Sequence, residues 1–189
     1  MDLFPVKLLN IQGLTNVKYA ELEGEIGEGT ILCLTETQKK INDIKMSERI
    51  RSIESMSSLT DRRGGGLLVL YREGGKVELE REGSRSKDIL EVSGKIGGVK
   101  VKIVLVYLAT GQGGAAEINE GIMEEIREKI GRAEERGEGV VLLGDFNGHL
   151  GYLGHQEESI TGAIVNRMIE QCGLNLLNID ERCVGGTYT

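Results

Sequence analysis

The stretch "VVLLGDFNGHLG", residues 140–151, runs four apolar residues into a carboxylate, a carboxamide and an imidazole at alternate positions: Asp145, Asn147 and His149. A buried strand that ends this way presents polar side chains from a rigid support. Other polar residues share the same address. Asn10 closes "KLLN", Glu36 follows "ILCLT", and Tyr107 ends "IVLVY". Side chains at strand ends line the crevice in which α/β sheets hold their ligands. These types suit metal-assisted attack on a phosphate. A hard cation such as Mg²⁺ takes one or two carboxylates together with waters and phosphate oxygens, and Glu36 with the side-chain carbonyl of Asn10 offers such ligands. Asp145 can orient or deprotonate a water, while the Asn147 amide and the Tyr107 hydroxyl can hydrogen-bond phosphorane oxygens as charge builds. Asp145 and Asn147 are two apart, so continued extended backbone turns both to one face.

Each residue also has a plainer role. An Asp after a strand and a Gly caps turns, a Tyr ending a strand is a core aromatic with its hydroxyl at the surface, and Glu36 is an acid that water can solvate. Four such residues at four strand ends favour one shared chemistry over four separate roles. The residues alone lead to a phosphotransfer enzyme of unspecified kind.

The elements that must carry them alternate along the chain. Strands are expected at residues 6–11 and 30–35, with a short helix at 16–26 between them. Residues 36–63 read as a long polar loop. "GLLVLYREGGKVELE" and "DILEVSGKIGGVKVKIVLVYL" each read as a hairpin turning on Gly-Gly, a pair that tolerates the positive φ of a two-residue turn. Ile118, Ile122, Ile126 and Ile130 mark an amphipathic helix. "GVVLL" is the next strand, residues 164–172 mark another helix, and "LNLLNI" a last strand, with "CVGGTYT" starting a further extended segment. Strands with interleaved helices and hairpins predict one α/β (α+β) domain over residues 1–189, built as a sandwich.

The 23 basic and 30 acidic residues leave a net charge of -7, which by itself speaks against nucleic acid. The charges are segregated, however. Residues 115–139 hold Glu117, Glu120, Glu124, Glu125, Glu128, Glu134, Glu135 and Glu138, whereas residues 37–72 gather Lys39, Lys40, Lys45, Arg49, Arg51, Arg62, Arg63 and Arg72. A partner feels the local field, because screening limits its reach to about 8–10 Å. Cys33, Cys172 and Cys183 form no CxxC pair and read as reduced residues of an intracellular protein. No signal peptide is expected, and the longest apolar run, residues 103–109, is far short of a membrane span.

The motifs "LLNIQG", "LCLTET", "RRGGGLLVLY", "VYLATG" and "GDFNGHLG", in this order and spacing, resemble the endonuclease domain of non-LTR (LINE-type) retrotransposons. That domain belongs to the endonuclease/exonuclease/phosphatase superfamily, with the apurinic-site endonucleases and deoxyribonuclease I. The tail "IVNRMIEQCGLNLLNIDERCVGGTYT" extends the likeness over essentially the whole chain. The resemblance implies a deoxyribonuclease-I-like sandwich of two sheets flanked by helices. It implies Asn10 and Glu36 at Mg²⁺ or Mn²⁺, Tyr107 at the scissile phosphate, Asp145 and Asn147 as catalytic, and Arg62 and Arg63 near DNA. The activity implied is DNA nicking that leaves a 3′-hydroxyl for the reverse transcriptase region of the same polyprotein, in cytoplasm and nucleus and with no membrane partner. His149 does not match the family's catalytic His.

The chain also departs from the pattern. Thr35 stands before Glu36 where Gln is commoner, and "LATG" follows Tyr107 in place of a Pro-containing turn. The family continues past "TYT" into a strand with a Ser-x-Ile-Asp-Tyr motif and often a catalytic His, whereas this chain ends at Thr189. The resemblance thus implies a sandwich lacking its last strands, from a fragment or a decayed copy, with weak activity or none. Two other readings stand beside it: a phosphatase or RNA deadenylase of the same superfamily, and a non-catalytic remnant that binds nucleic acid or protein through residues 37–72.

Overall fold

Runs that are apolar on both faces need cover on both, and the chain supplies it with two stacked sheets and helices outside them. The computed structural model describes residues 4–56, 65–110, 114–150 and 158–177. Strands β1 (Val6–Asn10) and β2 (Ile31–Thr35) pair in parallel across helix α1 (Asn16–Glu23). Strand β3 (Ile50–Ser55) and strand β4 (Leu67–Arg72) complete this sheet in the order β1-β2-β4-β3. The second sheet is an antiparallel meander of β5 (Val77–Arg81), β6 (Ile89–Ile96) and β7 (Val99–Tyr107). Helix α2 (Ala115–Glu135) then crosses over, so that β8 (Gly139–Asp145) adds parallel to β7. Helix α3 (Ile160–Gln171) follows, started by the Ser159 hydroxyl, which accepts from the Gly162 amide at 3.0 Å.

Three apolar layers result. Ile31, Cys33, Val69, Leu79, Val92, Ile103 and Leu105 fill the space between the sheets. Leu32, Leu34, Leu68 and Leu70 pack with Tyr19 of α1, and Val104 and Val106 pack with Ile122, Met123, Ile126 and Met168 of α2 and α3. Cys33 is buried in the middle layer, where desolvation pushes its thiol up to about 12. Strands β1 and β8 are the last strands of their sheets among the described residues, and Val6, Leu8 and Leu9 of β1 stay 36–40% exposed.

The expected strands and helices form, with three corrections. Residues 36–63 are not all loop, because "IRSIES" pairs along β4 as β3. Only Ile50 and Ser55 of β3 are buried, so its apolar signal is thin. With β2 on one edge and β3 on the other, β4 has no edge left for β5. The pair Gly74-Gly75 therefore carries the chain from one sheet to the other and makes no hairpin. By contrast Gly97 (φ 57°) and Gly98 (φ 84°) do form the tight β6–β7 turn. The expected last strand begins at Leu174, but residues 174–177 are irregular; α3 ends at Gln171, and Gly173 (φ 58°) turns the chain after it, with the Leu174 amide donating to the Ile169 carbonyl. The remainder of that strand, the "TYT" segment and Cys183 lie outside the described residues.

The junction of β7 and β8 beside the polar strand ends is closely fitted. Gly144 pairs with Val106 at φ 154°, and a Cβ there would stand 2.0 Å from the Val106 carbonyl oxygen. Gly144→Ala is expected to cost roughly 1–3 kcal/mol of stability, read as a lower urea midpoint with the slope unchanged. A midpoint equal to wild type contradicts this packing.

Candidate active site

The parallel pairs β1-β2 and β7-β8 lie on the same side of the sandwich, one in each sheet, with β1 against β8. The carboxyl ends of these four strands therefore meet, and they bring Asn10, Glu36, Tyr107 and Asp145 together. The Asn10 Nδ2 amide donates to Glu36 Oε1 at 2.9 Å and to Asp145 Oδ2 at 2.8 Å, so one NH₂ group joins two carboxylates, one from each sheet. Its own Oδ1 accepts from the Gln12 amide at 3.2 Å. The Tyr107 hydroxyl lies beside them, within reach of Glu36, Asp145 and the Asn147 side chain.

Tyr107 is 7% exposed, in the layer between the sheets. Burial first, then the charges of Glu36 and Asp145 and the bond to Glu36, push its hydroxyl up to about 12, against a smaller downward pull from Asn147. At neutral pH it is a hydroxyl and a hydrogen-bond donor.

Asp145 and Asn147 do share the site, but not through extended alternation. Strand β8 ends at Asp145, and Asn147 takes a left-handed backbone, φ 45°. The Asn147 amide donates to Asp145 Oδ1 at 3.2 Å, so Asp145 is both a turn cap and a site residue. The Asn147 Nδ2 group donates to the Leu108 carbonyl at 2.8 Å. Glu36 is also left-handed, at φ 55°. Two non-glycine residues in this sparsely populated region, both at one site, are strain of the kind that surrounding contacts must hold. His149 is exposed, and its backbone braces the cap of α3, the amide donating to Ser159 Oγ at 2.9 Å. Arg62 and Arg63 lie outside the described residues.

Among the described residues no three His, Cys, Asp or Glu side chains gather as a metal cluster. Two carboxylates and one carboxamide nonetheless fit a hard cation that fills its remaining positions with water and phosphate oxygens. Positive charge is what this pair of carboxylates lacks, and an amide NH₂ takes that place. Glu36, Asp145 and Asn10, with its carboxamide turned over, are the residues that could hold it.

Neither a family model nor a curated protein sequence matches the chain. Solved structures do. The endonuclease domain of TRAS1, a telomere-specific non-LTR retrotransposon, is similar at 16% identity and a TM-score of 0.59 over 91% of this chain and 72% of that one. The 3′-5′ exonuclease NExo from Neisseria meningitidis is similar at 15% identity and a TM-score of 0.63 over 87% and 70%. An AP endonuclease from Archaeoglobus fulgidus gives 14%, 0.60, 89% and 71%. What these structures share with the chain is the fold, a sandwich of two sheets flanked by helices.

Within this sandwich, sequence reading missed residues that hold the site from behind. The Lys18 ammonium donates to the carbonyls of Ile11 at 2.6 Å, Gly13 at 3.1 Å and Gln12 at 3.3 Å, fixing the loop after Asn10. Its only signal is a lysine in the first turn of α1. Asn119 of α2 holds Ala109, and its signal is plainer: a polar residue on an apolar stripe.

Burial of Tyr107 has a consequence for pH dependence. Its folded pKa lies above the unfolded value near 10, so its contribution is complete below about pH 10 and is lost as pH rises toward about 12. Tyr19 and Tyr71 are raised as well and act in the same direction. Tyr107→Phe is expected to flatten the loss of stability above pH 10, as measured by urea unfolding at stepped pH. An equally steep loss in the variant contradicts the assignment.

Proposed function

We propose that the chain is a Mg²⁺- or Mn²⁺-dependent endonuclease of a retroelement that nicks DNA and leaves a 3′-hydroxyl for the reverse transcriptase region of the same polyprotein. The observation that carries this reading is the joining of Glu36 and Asp145, from separate sheets, through the Asn10 carboxamide. The likeness to the TRAS1 endonuclease domain supports it.

A divalent cation bound by Glu36 and Asn10 would neutralise charge on the scissile phosphate. Asp145 takes a proton from the attacking water, held for that task by the Asn147 amide on its other oxygen. As the oxygen–phosphorus bond forms, the bond from phosphorus to the 3′ oxygen breaks. The Tyr107 hydroxyl donates to a phosphate oxygen, with Asn147 beside it. Arg62 and Arg63 contact backbone phosphates, which adds affinity without sequence choice. Such an enzyme, made in the cytoplasm, works in the nucleus.

A second reading has a specific observation behind it. NExo, also described as a 3′ phosphatase and solved with a product DNA hairpin, has a similar fold. Removal of a 3′-terminal phosphate uses the same groups on a different substrate.

Supercoiled plasmid and a 3′-phosphorylated oligonucleotide separate the two. Nicking of the plasmid with Mg²⁺ is expected, abolished by EDTA and reduced about 10²–10⁴-fold by Asp145→Ala. Phosphate release without nicking establishes the second reading. Metal-dependent cleavage that is indifferent to Asp145→Ala refutes the site.

A further inference from the structure

Asn119 occupies a place where an apolar side chain is expected. On α2 it continues the buried stripe of Ile122, Met123, Ile126, Ile130 and Ala133, and it is 0% exposed. A carboxamide buried there costs free energy unless both of its ends are paired. Both are. Its Oδ1 accepts from the Ala109 amide at 2.9 Å, and its Nδ2 donates to the Ala109 carbonyl at 3.1 Å and to Thr161 Oγ1 at 3.4 Å. The side chain thus pairs with both polar groups of one backbone residue, as a neighbouring strand would, just past the end of β7.

That residue adjoins the site. The Tyr107 amide donates to the Asp88 carbonyl at 3.0 Å, and the Leu108 amide to the Asp145 carbonyl at 2.9 Å. The Leu108 carbonyl accepts from Asn147 Nδ2 at 2.8 Å. Residues 107–109 are gripped from β8 on one side and by Asn119 on the other. Of these grips, the one on Ala109 comes from a single side chain.

We propose that Asn119 is a positioning residue: by clamping Ala109 it sets the height of the Leu108 carbonyl, and through it the orientation of the Asn147 carboxamide beside Tyr107. Thr161 ties the clamp to α3, so both helices take part in holding the site. The role in turnover rests on the nuclease reading above, whereas the mechanical coupling does not.

The test uses the full chain, ¹⁵N-labelled at asparagine, with Asn147 assigned by its own substitution. Asn119→Asp keeps the acceptor for the Ala109 amide and removes both donors. It is expected to shift the Asn147 carboxamide resonances and to lower kcat for plasmid nicking roughly tenfold to a hundredfold, with KM unchanged. Thr161→Val removes only the third bond and is expected to move the same resonances less; it carries the test if Asn119→Asp does not fold. Asn147 resonances that stay in place in a folded variant overturn the inference, whether or not the protein cuts DNA. Shifted resonances with kcat unchanged overturn it too. Shifted resonances in a chain whose wild type fails to nick DNA support the coupling and refute the nuclease reading instead.

Discussion

Two carboxylates facing each other across a sheet boundary repel, and here a single NH₂ group offsets that repulsion. Asn10 stands between Glu36 and Asp145, and its bond to Asp145 ties residues 135 apart in sequence. Much of the neighbouring backbone serves this contact. The Lys18 ammonium gathers the carbonyls after Asn10, and the Gly13 and Leu14 amides donate to the carbonyls of Glu36 and Thr37 at 2.8 Å each. The left-handed turns at Glu36 and Asn147 are affordable because those bonds hold them. An arrangement of this kind is preorganised, with two carboxylates and their shared donor held in place by the surrounding backbone.

The architecture explains why four strand ends share one address. Each sheet has a crossover through a helix, β1–α1–β2 in one and β7–α2–β8 in the other, and each crossover makes a parallel pair whose carboxyl ends point the same way. Stacking the sheets with these pairs on one side brings the ends together. Strands β2 and β4 of one sheet and β5, β6 and β7 of the other supply the apolar layer between the sheets.

Charge is used differently from what a linear count implies. Glu125 of the acidic helix is buried and accepts from the Arg85 amide at 2.8 Å and the Ser86 amide at 3.0 Å. Glu91 is paired with Lys102 and Lys129 in the interior, all three almost fully buried. Burial raises the Glu91 carboxyl, and the two lysines outweigh that and hold it below the ordinary range. This network links α2 to the loop before β6, whose Asp88 carbonyl receives the Tyr107 amide. On the basic side, Arg51 pairs with Glu73, and Arg72 donates to the Ile26 carbonyl. Part of the apparent nucleic-acid surface therefore serves the fold.

The chain read residue by residue settles which strand ends carry polar groups, because apolar runs and the residues that end them are local facts. It determined the amphipathic helices for the same reason, although Ile118 strayed: a four-residue step drifts from the 3.6-residue turn, so Ile118 is 40% exposed while Asn119 lies on the buried stripe. Tertiary structure alone decided which edges pair. The thinly apolar β3 took the free edge of β4, which sent β5 to the other sheet across a Gly-Gly pair that reads like a hairpin turn. It also decided that the Asn147 carboxamide meets the Leu108 carbonyl from 39 residues away, and that Asn10 meets Asp145 from 135 away. No local pattern encodes a partner that only tertiary packing brings near.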